Sequence, residues 1–316
     1  MTEHFIQSTL PEADRPSSSL LPDHNPWIGL SRDRPFFENE EIRDLLNRAL
    51  FYVLAGIPVH FRGAAGLGKT ALALRIAERV GRPVAFMSGN NWMTTENFIG
   101  KEVGQSATTV VDKYIQSVRR TETRVRSDWN DAVLATAMEQ GHTLIYDEFT
   151  RSSAKANGAL LSVLEEGVLV SSDPSNARAV LEAHPDFRVI LTSNPTDYAG
   201  VNAAPDALLD RMVTFNLAGL SAPTECGIVA SRSGLDIGTC TRIVEMVRLL
   251  RDPAKEGCTL SMRTSILIAR IAALKVKSGG LTDASLARIA ADVLAGRSPD
   301  RTASQIENQI RIVQDR

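Results

Sequence analysis

Apolar residues recur at helical spacing through the stretch from Glu40 that reads EEIRDLLNRALFYVLAG, and the pattern stops at Gly56 and Pro58. This predicts a helix that leads into a strand at the β-rich run Pro58 to Phe61. A second helical pattern ends near Gly81, and Pro83 to Met87 reads as a short buried strand. Further along, WNDAVLATAMEQ has helical spacing, with Asp128 as its candidate cap and Gly141 as its stop. Apolar strands follow at Thr143–Tyr146 and Phe187–Ser193, then a short helix from Asp206 to Asp210 that meets a strand through Phe215. Strands alternating with helices predict a mostly parallel sheet covered by helices. From about residue 221 the pattern is helical, with Thr239–Leu250 and Ser265–Val276 separated by Gly279-Gly280 and Thr282-Asp283 from a further helix.

Two stretches lack such periodicity. Residues 1 to 35 are rich in proline, serine and charge and read as a flexible lead-in. Residues 88 to 127 are irregular and carry the arginine-rich run Arg119–Arg126, which fits either a solvated helix face or an element facing a pore or a partner.

At 316 residues the chain can bury a sizeable core and suggests a large and a smaller domain. Its 35 basic and 37 acidic residues leave a formal charge of −2, so no global field favours nucleic acid or an anionic membrane. Cys226, Cys240 and Cys258 are widely spaced, without metal-ligand geometry, and read as reduced thiols. No signal-peptide pattern or membrane-length apolar run is present, so we expect a cytoplasmic protein that is not integral to a membrane.

The chemistry concentrates at Gly63-Ala64-Ala65-Gly66-Leu67-Gly68-Lys69-Thr70, between a predicted strand and a predicted helix. A phosphate-binding loop requires that context, because backbone N–H groups and the helix N-terminus then face one phosphate chain; an ordinary glycine-rich turn is the plainer alternative. The loop predicts ATP as ligand, with Lys69 reaching the β- and γ-phosphates and Thr70 ligating Mg²⁺. Asp147 and Glu148 end the apolar strand Thr143–Tyr146 and form the second motif. Asp147 is expected to hold Mg²⁺ through water and Glu148 to deprotonate the attacking water. Asn194, at the end of the next strand, is a candidate γ-phosphate and water sensor or simply a turn former before Pro195. Arg211 either pairs in cis with Asp210 or a neighbouring acid, or crosses a subunit interface as an arginine finger.

This order of parts, with the run Asn157–Gly167 between the acidic pair and the sensor strand, resembles the AAA+ ATPases and in particular their MoxR branch. The segment Val168–Leu181, turning at Asp173–Asn176, looks like that family's hairpin, and the long gap from Lys69 to Asp147 like its insertion. Within the branch, residues 62–70, 142–152, 159–167 and 189–195 are similar to the gas vesicle protein N family, a likeness that spans about 36 to 275. The resemblance implies an α/β fold, an AAA+ P-loop NTPase with a parallel five-stranded sheet flanked by helices and a smaller C-terminal helical lid. On that pattern residues 36–220 form the nucleotide-binding domain and 221–316 the lid. It also implies catalytic roles for Glu148, Asn194, Arg211 and Arg263, the last as a second sensor, although Met262 replaces the proline frequent before that arginine. An exposed helical arginine is the alternative there.

The function implied is an Mg²⁺-dependent ATPase acting as a homo-oligomeric, hexameric ring that remodels a protein client. Gas vesicle shell or accessory proteins would be the clients, and the protein would associate with gas vesicles. Three alternatives stand beside it: a MoxR-type chaperone that activates a metalloenzyme with a von Willebrand A-type partner, a nucleotide-dependent scaffold with little turnover, and a DNA remodeller. The near-neutral charge and the lack of a DNA-binding module speak against the last, and Glu148 against the scaffold.

Overall fold

The computed structural model describes residues 35–94, 98, 100–111, 121–131, 133–170, 180–194, 202–251, 260–295, 304 and 306–307. The first helix, α1 (Glu40–Leu54), is capped by Asn39, whose side chain accepts from the Ile42 amide, and it carries Glu40 and Glu41 in its first turn. It leads to β1 (Val59–Gly63), then α2 (Lys69–Val80) and β2 (Val84–Ser88). Next come β3 (Gly100–Val111), β4 (Thr121–Asp131), α3 (Val133–Gln140) and β5 (Thr143–Asp147). A single 3-10 turn, Phe149–Arg151, precedes α4 (Ala154–Asn157) and α5 (Leu160–Glu166). β6 (Val168–Val170) and β7 (Val180–Glu182) pair antiparallel, and β8 (Arg188–Ser193), α6 (Asp206–Leu209) and β9 (Val213–Leu217) follow. The chain continues through α7 (Ala222–Ser233), α8 (Ile237–Leu250), α9 (Met262–Lys277) and α10 (Asp283–Ala295).

Five strands form one parallel sheet in the order β2-β5-β8-β1-β9, as expected from the alternation of elements. Because side chains alternate across a strand, the sheet divides its residues between two cores. Val59, Phe61, Ile145, Ile190 and Phe215 face α1 and α2. Leu144, Tyr146, Leu191 and Val189 join the opposite core with α3 and α5. Helices α7 to α10 close around Val229, Ile243, Val247, Ile268 and Leu286. Cys226 and Cys240 are buried free thiols in this bundle, whereas Cys258 lies outside the described residues.

One tie joins α1 to α7. Glu41 accepts a hydrogen bond from Ser221 Oγ at 2.6 Å and another from Thr224 Oγ1, to which Asn39 donates at 2.7 Å. Burial acts to raise the Glu41 pKa, but these donors outweigh it and hold the carboxyl below its usual value.

Two expectations are corrected. The run 121–126 is not a helix face: β3 and β4 pair antiparallel from Gly100↔Asp131 to Val111↔Thr121, with a bulge between Glu102 and Gly104. Asp128 and Trp129 belong to β4, so Asp128 lies inside a strand and not at the helix N-cap, and the helix starts at Val133. β-branched residues at Thr108–Val111 and at Thr121, Thr123 and Val125 favour the pleated ribbon over a helix. Arg119 and Arg120, the 1–34 lead-in and the turn at Asp173–Asn176 lie outside the described residues.

Leu46 of α1 is fully buried among Val59, Phe61, Leu72 and Ile76. Leu46→Ala should lower the unfolding free energy by about 3 kcal/mol, read as a shift of the urea midpoint.

Candidate functional site

The segment between β1 and α2 turns on Gly66 and Gly68, whose φ values of 88° and 84° lie in the left-handed region, and Gly68 occupies the N-cap of α2. A cap without a side chain leaves the first N–H groups of α2 directed into the loop. The loop therefore presents an anion-binding concavity.

Lys69 is only 6 % exposed, and its ammonium donates to Gly63 O, Ala64 O and Asn194 Oδ1, each at 2.8 Å. Burial lowers its pKa; the charges of Glu148 and Asp147 oppose this and that of Arg263 adds to it. Thr70 Oγ1 donates to Asp147 Oδ1 at 2.7 Å. The parity of β5 explains this contact: Asp147 stands on the Ile145 side of the sheet, the side covered by α2.

Thr192 completes the arrangement and was missed in the sequence. Its hydroxyl donates to Asp147 Oδ1 at 2.6 Å and accepts from the Glu148 amide at 2.9 Å. Its signal was a hydroxyl two residues before Asn194 and on the same strand face, following the apolar run Val189–Leu191. Asn194 sits between two charges, accepting from Lys69 through Oδ1 while Nδ2 stands 3.5 Å from Glu148 Oε1.

Glu148 is the one described non-glycine residue with positive φ, at 52°. Such a conformation costs on the order of 1 to 3 kcal/mol, so the surroundings must enforce it. Gly89 helps, because a Cβ there would lie 2.2 Å from the Glu148 carbonyl oxygen. The Glu148 carboxylate is held by Arg151, whose Nε is 2.6 Å from Oε2.

Arg263, at the start of α9, reaches the same place from the C-terminal bundle. A Cβ on Gly66 would meet Ser261 Oγ at 2.5 Å and Arg263 Cγ at 3.6 Å, so this helix start lies against the phosphate loop. Arg211 is elsewhere: its Nε donates to Glu165 Oε2 at 2.9 Å at the surface, and Asp210 is not its partner. The structure thus gathers Lys69, Thr70, Asp147, Glu148, Asn194 and Arg263 at one cavity and leaves Arg211 outside it.

That cavity has a volume of about 540 Å³ and two unlike ends. One carries the loop, both acids, Asn194 and Arg263. The other carries the apolar Phe36, Phe37, Leu220, Ile228, Met262 and Ile266 together with the charged Arg75, Glu78 and Arg232. A phosphate chain suits the first end and a planar, apolar-faced ring the second. Among the described residues no group of three or more His, Cys, Asp or Glu is placed so that it could hold a metal ion. The oxygen pair Thr70 and Asp147 instead suits Mg²⁺, which keeps several waters and takes its remaining ligands from phosphate.

Beneath the site, His60 of β1 is 1 % exposed. Its Nε2 lies 2.8 Å from Ser193 Oγ and its Nδ1 3.1 Å from Thr214 Oγ1. Burial, aided by the charge of Arg62, pushes its pKa down to about 4.

Residues 58–212 match the model of the AAA domain (dynein-related subfamily). The gas vesicle ATPase GvpN of Ancylobacter aquaticus is 39 % identical over 262 residues, which cover 83 % of this chain and 73 % of that protein. GvpN of Haloferax mediterranei is 36 % identical over 273 residues, 85 % of this chain and 76 % of the relative. Among solved structures, the Thermotoga maritima RuvB Holliday junction branch migration motor superposes with a TM-score of 0.51 at 16 % identity, over 80 % of this chain and 69 % of that one. That last likeness concerns the fold alone. No helix of the described residues is long and apolar enough to cross a membrane.

The folded pKa of His60 lies below the unfolded value of 6.5, so folding favours the neutral ring. Its contribution is intact above about pH 6.5 and is lost as pH falls toward 4, by about 3 kcal/mol in all. Urea titrations at pH 7 and pH 4.5 should show the wild-type chain losing more stability on acidification than His60→Gln does; equal losses would contradict the neutral assignment.

Proposed function

The chain belongs to the GvpN family of gas vesicle ATPases and carries an AAA domain, and from that premise we propose that it is an Mg²⁺-dependent ATP hydrolase working as a ring-forming assembly chaperone in gas vesicle formation. The observation that carries the reading is the convergence of Lys69, Asp147, Glu148 and Asn194, drawn from separate elements, on the polar end of one cavity. Lys69 has three acceptors in hand, two of them loop carbonyls, and exchanges them for β- and γ-phosphate oxygens when ATP enters. Thr70 and Asp147 would hold the metal, and Thr192 fixes the Asp147 carboxylate in place. Mg²⁺, when bound, neutralises charge that develops on the phosphate oxygens.

Glu148 orients and deprotonates the attacking water, and its Oε1 already stands 3.5 Å from Asn194 Nδ2. Arg151 must release that carboxylate for the base to work. Asn194, already poised between Lys69 and Glu148, reads the γ-phosphate and the water. Arg263 acts in cis as the second sensor, a role supported by the packing of its helix start on Gly66. The apolar end of the cavity takes the adenine ring. Residues 36–220 serve as the nucleotide-binding domain, 221–316 as the lid and 1–35 as a lead-in. Arg211, outside its own cavity and near the surface, serves a neighbouring subunit in a hexamer, with Glu165 holding it in the separate chain. The client is a gas vesicle shell or accessory protein, met in the cytoplasm.

Glu148→Gln should bind ATP normally yet hydrolyse it slower by about 10²-fold or more, the usual yield of a positioned base, whereas Lys69→Ala should lose ATP affinity. Phosphate release and binding of a fluorescent ATP analogue measure the two effects; a wild-type rate for Glu148→Gln would end the hydrolytic reading.

Arg211→Ala should bind nucleotide but turn it over slowly. Mixing it with Glu148→Gln subunits should restore turnover, because an intact Arg211 then faces an intact Glu148. No recovery in mixed assemblies would return Arg211 to a surface ion pair with Glu165.

A further inference from the structure

We propose that His60 is a positioning residue for hydrolysis: its imidazole, braced on Thr214 and packed edge-on against Phe149, holds Ser193 and so fixes where the adjoining Asn194 presents its amide. The inference rests on the reading of Asn194 as the γ-phosphate and water sensor.

Three observations converge on this ring. The ladder between β1 and β8 runs Val59↔Ile190, His60↔Leu191, Phe61↔Thr192 and ends at Arg62↔Ser193. Asn194 therefore lies one residue beyond the last rung, without a strand partner to set its backbone. The side-chain bond between Ser193 Oγ and His60 Nε2, at 2.8 Å, braces the chain immediately before it.

Second, both ring nitrogens are engaged, and by different strands. Nδ1 reaches Thr214 Oγ1 of β9 at 3.1 Å, so the imidazole bridges β8 and β9 across β1. A neutral imidazole has one donor and one acceptor, and each hydroxyl can serve as either, so both tautomers are satisfied. Burial keeps the ring neutral, which makes the bridge independent of pH near neutrality. Third, the ring packs edge-on against Phe149, centroids 5.3 Å apart at 82°. Phe149 directly follows Glu148, the residue in the left-handed turn. One side chain thus touches the residue before the sensor and the residue after the base.

An apolar residue would fill this buried position without costing two polar bonds, and the neighbouring Leu191 and Phe149 would welcome it. An aliphatic side chain would seal the core but leave Ser193, 2 % exposed, without its ring partner. The functional consequence falls on kcat, because Asn194 acts on the γ-phosphate and the water while nucleotide affinity comes from the loop and Lys69.

The test compares steady-state kcat and KM for Mg-ATP in the assembled full-length chain for Ser193→Ala, His60→Asn, His60→Gln and the double variant Ser193→Ala/His60→Asn, with Asn194→Ala as reference. Gln places its terminal amide near Nε2 and Asn near Nδ1, so only the first keeps the bond to Ser193. Ser193→Ala and His60→Asn should each lower kcat about 10-fold with KM within about twofold, and His60→Gln should stay within about threefold of wild type. The double variant should be no slower than either single, as expected when both act through one bond. Ser193→Ala removes a single oxygen, so it keeps the question answerable if a His60 variant melts early. Wild-type kcat in Ser193→Ala, or losses that multiply in the double variant, would overturn the proposal. A slow Asn194→Ala beside a fast Ser193→Ala sinks the relay alone. A fast Asn194→Ala sinks the sensor reading and the relay with it.

Discussion

A buried ammonium must find acceptors, and Lys69 finds them in three places at once: two carbonyls of its own loop and the Asn194 side chain at the end of a strand more than a hundred residues away. Leaving such a cation unpaired would cost several kcal/mol, and β8 beside β1 supplies the one side-chain acceptor that the loop itself lacks. The sheet order supplies that adjacency, with β8 between β5 and β1. The same order brings Asp147 from β5 to within reach of Thr70 and Thr192. A site assembled across three strands is then as rigid as the sheet itself, the condition that preorganised electrostatic catalysis requires.

Alternation within each strand does the rest. Along β5, Ile145 and Asp147 face α2 while Leu144 and Tyr146 face the other core, so the acid and the aromatic cannot exchange sides without a register slip. Tyr146 accordingly spends its hydroxyl behind the site, on Ser152 at 2.8 Å and on Asn157 at 3.1 Å, where burial pushes its pKa up to about 12. That network anchors the turn containing Glu148 from below, as Gly89 confines it from above. The left-handed backbone of Glu148 is thus held by neighbours that have no direct part in the chemistry.

The sequence made the sheet and the polar end of the cavity legible because both are written in local patterns: a glycine-rich turn between strand and helix, an apolar run ending in Asp147-Glu148, an amide after the next strand. Thr192 was hidden because a threonine in a strand satisfies β propensity as well as chemistry. The apolar end was hidden for another reason. Phe36, Ile228 and Met262 are far apart in sequence; Phe36 precedes the first helix, and Ile228 and Met262 sit in helices whose apolar positions any core would show. The hairpin of β3 and β4 was misjudged because its charges suggested a solvated helix, while its period-two pairing runs over more than ten residues and depends on a partner strand.

The same cavity argues for how nucleotide and helices are coupled. Its walls come from the segment before α1, from α1 and α2, from Ile228 and Arg232 in the second half of α7, and from the start of α9, so an occupant that spans it is in contact with the sheet side and the C-terminal bundle together. The Gly66 contact with Ser261 leaves no room for even a methyl group, so a change in the loop on binding must be met by a movement of the α9 start. That start is fixed by the reciprocal cap of Ser261 and Thr264, which makes α9 move as a unit rather than fray. On the other side, Glu41 ties α1 to the first turn of α7. A displacement of α9 against this second anchor must therefore be taken up within the bundle, between α7 and α9, whose packed core favours discrete arrangements over continuous deformation.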